Sequence, residues 1–209
     1  MLFRGLSVLG IMLLPTVVQA QFSAGYETGS YVLRNQPNTR YYGQLKFRNG
    51  RKLLVETEAG KKRRIKAYKA LSCSVGPQHY LVVSPLQFTI NSRSVNEKAV
   101  YAQVLDSGRI TLLRYNHLLN SGIDWLFLYR YPINVYLVRA QPESPFSVVL
   151  DTYDKSSFQQ HIRQFLTART DLTEMLDAGL ITYQDFPNAI YALNKNRSFQ
   201  PAIVPRRKN

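Results

Sequence analysis

The chain has a single cysteine, Cys73, in 209 residues. One thiol cannot close an internal disulfide, so stability has to come from a packed core. Only three histidines occur, His79, His117 and His161, and no H-E-x-x-H or comparable ligand spacing surrounds them. No contiguous metal motif is therefore present, and neither a metal nor another cofactor is expected. P-loop, dinucleotide and G-x-S-x-G fingerprints are missing too. Carboxylates are scarce, with 13 Asp and Glu against 27 Lys and Arg and a formal charge of +14. Scattered singly, they give no sign of the paired acids of a glycosidase. Past the first twenty residues no apolar run approaches the ~20 residues that a membrane-spanning helix needs.

What is present starts with an export signal. Arg4 supplies a positive start, Leu6 to Val18 is apolar apart from Ser7, Gly10, Pro15 and Thr16, and Val18-Gln19-Ala20 offers the small-residue cleavage pattern. The apolar run is too short for a retained anchor, and no cysteine follows the cleavage site for lipid attachment. Residues 1–20 read as a cleaved signal peptide of bacterial type. An exported protein is expected, in the periplasm, at the cell surface or outside the cell.

From Gly29 to about Leu150 the pattern is short period-two segments between turn residues. Tyr31-Val32-Leu33 runs into a turn at Asn35-Gln36-Pro37-Asn38, and Tyr42–Phe47 leads to Asn49-Gly50, a strong hairpin signal. Leu53–Val55, a turn at Glu58–Lys61 and Arg64–Tyr68 follow. Further strands are expected at Tyr80–Val83, Leu86–Ile90, Ala99–Leu105, Arg109–Tyr115, Trp125–Tyr129 and Val135–Val138. Asp106-Ser107-Gly108 joins two of them, with Ile110, Leu112 and Tyr115 expected to share a buried face with Val100, Ala102 and Val104. This spacing argues an antiparallel sheet, sandwich or barrel.

The period changes after Asp151. Phe158, Ile162, Phe165 and Leu166 fall on one helical face, with Ser156 and Gln159 as a capping box. A second helix fits Leu172–Ala178, capped by Asp171 and stopped by Gly179, and a third fits Gln184–Asn194 with Pro187 in its first turn. The fold class is α+β. A β-rich domain spans 21–150, a helical segment over 151–198 packs on it, and 199–209 forms a flexible basic tail.

Thr28-Gly29-Ser30-Tyr31-Val32, Asn38-Thr39 and Gly43-Gln44-Leu45-Lys46-Phe47 resemble the opening of a family of uncharacterised exported proteins from Bacteroidota. Val100–Tyr115 is similar to that family's central hairpin, and Ile181–Asn194 to its closing helix. Pro37-Asn38 stands in place of the family's Gly-Asp turn, and Leu193-Asn194 in place of Tyr-Asn. The resemblance implies export, an envelope location and a β-rich fold, and it brings no catalytic residue.

The feature with the most chemistry is basic. Ten Lys or Arg residues lie between Lys46 and Lys69 against Glu56 and Glu58, centred on Lys61, Lys62, Arg63 and Arg64 and continued by Lys66. Such a run fits an anionic envelope partner, lipopolysaccharide or acidic glycan. It fits no less a solvated edge that keeps sheets from aggregating, which is what charge runs usually are. Tyr41, Tyr42 and Phe47 could stack on bases, but export removes the chain from most nucleic acid, and no nucleic-acid partner is expected. His117 and Asp124, seven residues apart, make the only candidate base and orienter, for an envelope-directed hydrolase. The plainer reading places both in loops facing water. Cys73 reads as a small buried residue. Trp125, Phe127, Tyr129 and Tyr131 share a strand face, which is either core or a ligand platform. A transmembrane barrel is disfavoured, because the strands are short of the ~9–11 residues its wall requires. The expected role is non-catalytic binding.

Overall fold

The computed structural model describes residues 25–120, 130–151 and 154–201. The expected signal peptide, Asp124, the expected strand Trp125–Tyr129 and residues 202–209 lie outside them. The strands are β1 (Glu27–Leu33), β2 (Gln36–Asn49), β3 (Lys52–Glu56), β4 (Lys62–Lys66), β5 (Ala70–Val75), β6 (Gln78–Val83), β7 (Leu86–Ile90), β8 (Arg93–Glu97), β9 (Val100–Asp106), β10 (Thr111–Asn120), β11 (Arg130–Arg139) and β12 (Ser147–Leu150). The helices are α1 (Lys155–Leu166), α2 (Thr170–Asp177) and α3 (Phe186–Lys195). The expected β-rich body followed by three short helices is what the chain builds. No helix among the described residues is long and apolar enough to cross a membrane.

Ten strands form one antiparallel sheet in the order β12-β11-β10-β9-β6-β5-β1-β2-β3-β4, and β7 and β8 make a separate hairpin. The β4 end curls back on the middle of the sheet. The Tyr101 N–H of β9 donates to the Gly50 carbonyl at 2.8 Å, and the Ala67 N–H to the Arg51 carbonyl at 2.9 Å. Gly50 has to be glycine for this approach, since a Cβ there would lie 2.5 Å from the Tyr115 ring.

Because the sheet is covered on both faces in its middle, three cores form. Leu45, Phe47, Leu53, Val55, Tyr80 and Tyr101 fill the curl. Val100, Ala102, Leu113, Tyr115, Val135 and Leu137 pack on the opposite face, beneath Leu86, Phe88 and Ile90 of the β7–β8 hairpin. Ile110, Leu112, Tyr136, Val138 and Val149 meet Phe158, Ile162, Phe165, Leu166 and Phe186 of the helices. The expected shared face of Ile110, Leu112 and Tyr115 is thus corrected. Leu112 faces the helices and Leu113 and Tyr115 the hairpin, with a register shift between Leu112 and Leu113.

Local expectations are corrected at several ends. The first hairpin turns at Arg34-Asn35, and Pro37 and Asn38 lie inside β2. Pro37 is tolerated because the β1–β2 register breaks there, jumping from Val32–Arg40 to Leu33–Gln36. α1 begins a residue before the expected capping box. Its cap is Asp154, which accepts from the Ser157 N–H at 2.9 Å and from the Ser156 and Ser157 hydroxyls. These three donors hold the Asp154 carboxyl well below the usual range. Asp171 lies inside α2 rather than at its cap, with its carboxylate held by Arg169 at 2.6 Å. Gly179, at φ +72°, stops α2 as expected. Phe199 is buried against the helices, so the packed chain continues past residue 198. β5 and β8 were not expected, since Ala-Leu-Ser-Cys-Ser-Val and Arg-Ser-Val-Asn-Glu lack the aromatic and β-branched density that marks strands, and neither was β12, a strand of only four residues.

Candidate anion-binding face

β4 is the outermost strand of the sheet, hydrogen-bonded to β3 on one side only. Its sequence, KRRIK, buries Ile65 alone and exposes Lys62, Arg63, Arg64 and Lys66. Ile65 opposes Leu53 in the curl, which turns the even-numbered neighbours to the outer face. There the register sets Arg64 beside Leu54 and Lys46, and Lys66 beside Lys52. Lys62 stands opposite Glu56 and pairs with it at 3.6 Å. The outer face of β2, β3 and β4 therefore carries Lys46, Lys52, Lys62, Arg64 and Lys66 with Glu56 as its one carboxylate.

Arg63 points the other way, at the rim of the curl, where its charge acts on Tyr31; burial raises that phenol and Arg63 partly offsets it. Lys61 sits exposed in the preceding loop, which closes through the Thr57 N–H to the Lys61 carbonyl at 3.0 Å. Of the five basic residues singled out by sequence, three share one face, and Lys61 and Arg63 flank it. Sequence reading missed Lys98. It lies over the Tyr68 ring at 4.7 Å, with Lys66 at 5.7 Å from the same ring. No local signal could have shown this, because Lys98 and Tyr68 are neighbours only through the curl.

The histidine candidate sits elsewhere. His117 belongs to β10 and is 9% exposed, with its ring edge-on to Phe88 at 5.5 Å and 6.0 Å from Tyr115. The reading of His117 as a loop residue in water is thereby corrected, since it lies inside β10 with its ring buried under β7–β8. Burial, and then the charge of Arg51, holds its imidazole below the ordinary range. Arg51, on the β2–β3 turn, pairs with the buried Glu97 of β8 at 2.6 Å. Burial and Glu97 push the Tyr115 phenol between them up to about 12. This group ties the β2–β3 turn to the β7–β8 hairpin. Asp124 lies outside the described residues. Cys73 is buried in β5 with its thiol pushed well up by burial. The described residues hold no group of three or more His, Cys, Asp or Glu placed to bind a metal.

Comparison of the chain with protein-family models, curated proteins and solved structures returns no match. The site has to be judged on its own chemistry.

Proposed function

We propose that this protein is an exported, non-catalytic binding protein that holds an anionic envelope polymer, lipopolysaccharide or acidic glycan, on the outer face of β2, β3 and β4. The observation that carries this reading is the cross-strand grid of Lys46, Lys52, Lys62, Arg64 and Lys66 around one carboxylate. A single exposed ion pair is worth only about 0–1 kcal/mol, so useful affinity requires several contacts at once. A polymer of repeated negative charge supplies them, and a monovalent anion does not. The signal-like start and the resemblance to exported Bacteroidota proteins support an envelope location. The hydrolase alternative gains no support from His117, whose ring is packed between Phe88 and Tyr115.

The test is retention of the purified protein on immobilised lipopolysaccharide and on an acidic glycan across a salt series. A Lys61, Lys62, Arg63, Arg64→Ala variant is run beside it. Charge-borne binding weakens steeply as added salt shortens the screening length from about 10 Å toward 3 Å, and the variant should be at least about tenfold weaker. Equal, salt-insensitive retention of the two proteins would return the basic run to an aggregation-blocking edge.

A further inference from the structure

The face that carries the cations continues past β2 onto β1, β5 and β6, where it changes character. Tyr42 of β2 stands opposite Ser30 of β1, Ser30 opposite Ser74 of β5, and Ser74 opposite His79 of β6. Two residues along, Arg40, Val32 and Ser72 form the next row. Three strand gaps make the first row about 14 Å long. Between the rows lies a cavity of about 230 Å³ lined by Ser30, Arg40, Ser72, Ser74 and His79. Ser74 Oγ and His79 Nδ1 are hydrogen-bonded at 2.8 Å.

Ser30 is only 7% exposed, yet among the described residues its hydroxyl meets no partner. Nor, among those residues, does the Ser72 hydroxyl or the Arg40 guanidinium. Arg40 is exposed and Ser72 half-buried, so these groups face solvent and are open to a molecule that enters the cavity. At the margin the Tyr42 ring is 68% exposed, the most open large apolar side chain among the described residues. His79 meets no carboxylate among those residues, so Ser74 and His79 form a hydrogen-bonding pair without the third group of a nucleophilic triad.

We propose that this cavity seats one carboxylate-bearing sugar residue of an acidic glycan. Arg40 takes the carboxylate through its planar fork. Ser30, Ser72, Ser74 and His79 face the ring hydroxyls, which both donate and accept as serine hydroxyls do. Tyr42 covers a C–H face of the sugar. The inference rests on the anionic-polymer reading: the cations of β2–β4 hold the polymer, and the cavity chooses sugar acids among polyanions. A phosphate-rich partner would need the cations alone and leave the hydroxyl row and Tyr42 without purpose.

The test titrates the purified protein with an oligogalacturonate and, separately, with polyphosphate. Arg40→Ala, Tyr42→Ala and the Lys61, Lys62, Arg63, Arg64→Ala variant are compared, and circular dichroism checks each fold. Arg40→Ala and Tyr42→Ala should each weaken the oligogalacturonate at least about tenfold while leaving polyphosphate within about twofold. The quadruple variant should weaken both. Unchanged oligogalacturonate binding by Arg40→Ala and Tyr42→Ala would overturn the cavity and leave the polymer reading standing. A silent Tyr42→Ala, with Arg40→Ala weakening both ligands alike, would make the cavity a general oxyanion seat and overturn the sugar assignment. Wild-type protein that binds neither ligand would overturn the polymer reading and the cavity with it.

Discussion

His117 shows how far a residue's role depends on what folds over it. In sequence it follows Tyr115-Asn116 and stands five residues before Gly122, which fits a strand end near water. The β7–β8 hairpin instead lays Phe88 against its ring and leaves it 9% exposed. A neutral imidazole is what that surrounding accepts, so its folded pKa lies below its unfolded value near 6.5. The unfolded chain then binds the extra proton. The stability owed to His117 is complete above about pH 6.5 and is lost as pH falls from there through the folded pKa. Urea denaturation between about pH 5 and 7 should show a loss of at most about 1.4 kcal/mol per pH unit, and His117→Leu should flatten that slope. An unchanged slope in the variant would place the titrating group elsewhere.

α3 shows what one polar side chain adds to an amphipathic helix. Phe186, Ile190 and Leu193, at i, i+4 and i+7, mark one apolar face in the sequence, and all three are buried. Its docking was not readable. Asn194 donates to the Asp106 carboxylate and to the Ile110 carbonyl, each at 2.8 Å, and accepts from the Ile110 N–H at 2.9 Å. One amide thus clamps the helix end to the β9–β10 turn, and Gly108 leaves room for it, since a Cβ there would lie 3.0 Å from Asn194 Cγ. Asn194→Ala strands both Ile110 backbone groups and should cost about 2 kcal/mol, measured as a lower denaturation midpoint at unchanged m-value. β4 carries a related lesson. Its charges were plain in the sequence, but their sharing of a face with Lys46 and Lys52 follows from Ile65 and Leu53 being pulled together into the curl.

Across the molecule, the helices and the β12 end of the sheet share one core, with Phe186 fully buried at its centre beside Tyr136 and Phe158. Phe186→Ala should cost about 3–5 kcal/mol, and the helical and strand signals in circular dichroism should melt together. Separate melting would show that the helices fold as an independent unit. Strand periodicity, the α1 and α3 stripes, the Gly179 stop and the basic run could be read from the chain because each is written in neighbours a few residues apart. Period two and period 3.6 are properties of the backbone itself. The order of ten strands, the curl that brings Gly50 to Tyr101, and the rows that align Tyr42 with His79 and Arg64 with Lys46 could not. They join residues tens of positions apart, and a strand's pattern says which residues share a face but not which strand lies beside it. Charge was thus legible in the sequence, while the surface on which it gathers arose only when the packing of three cores set the register.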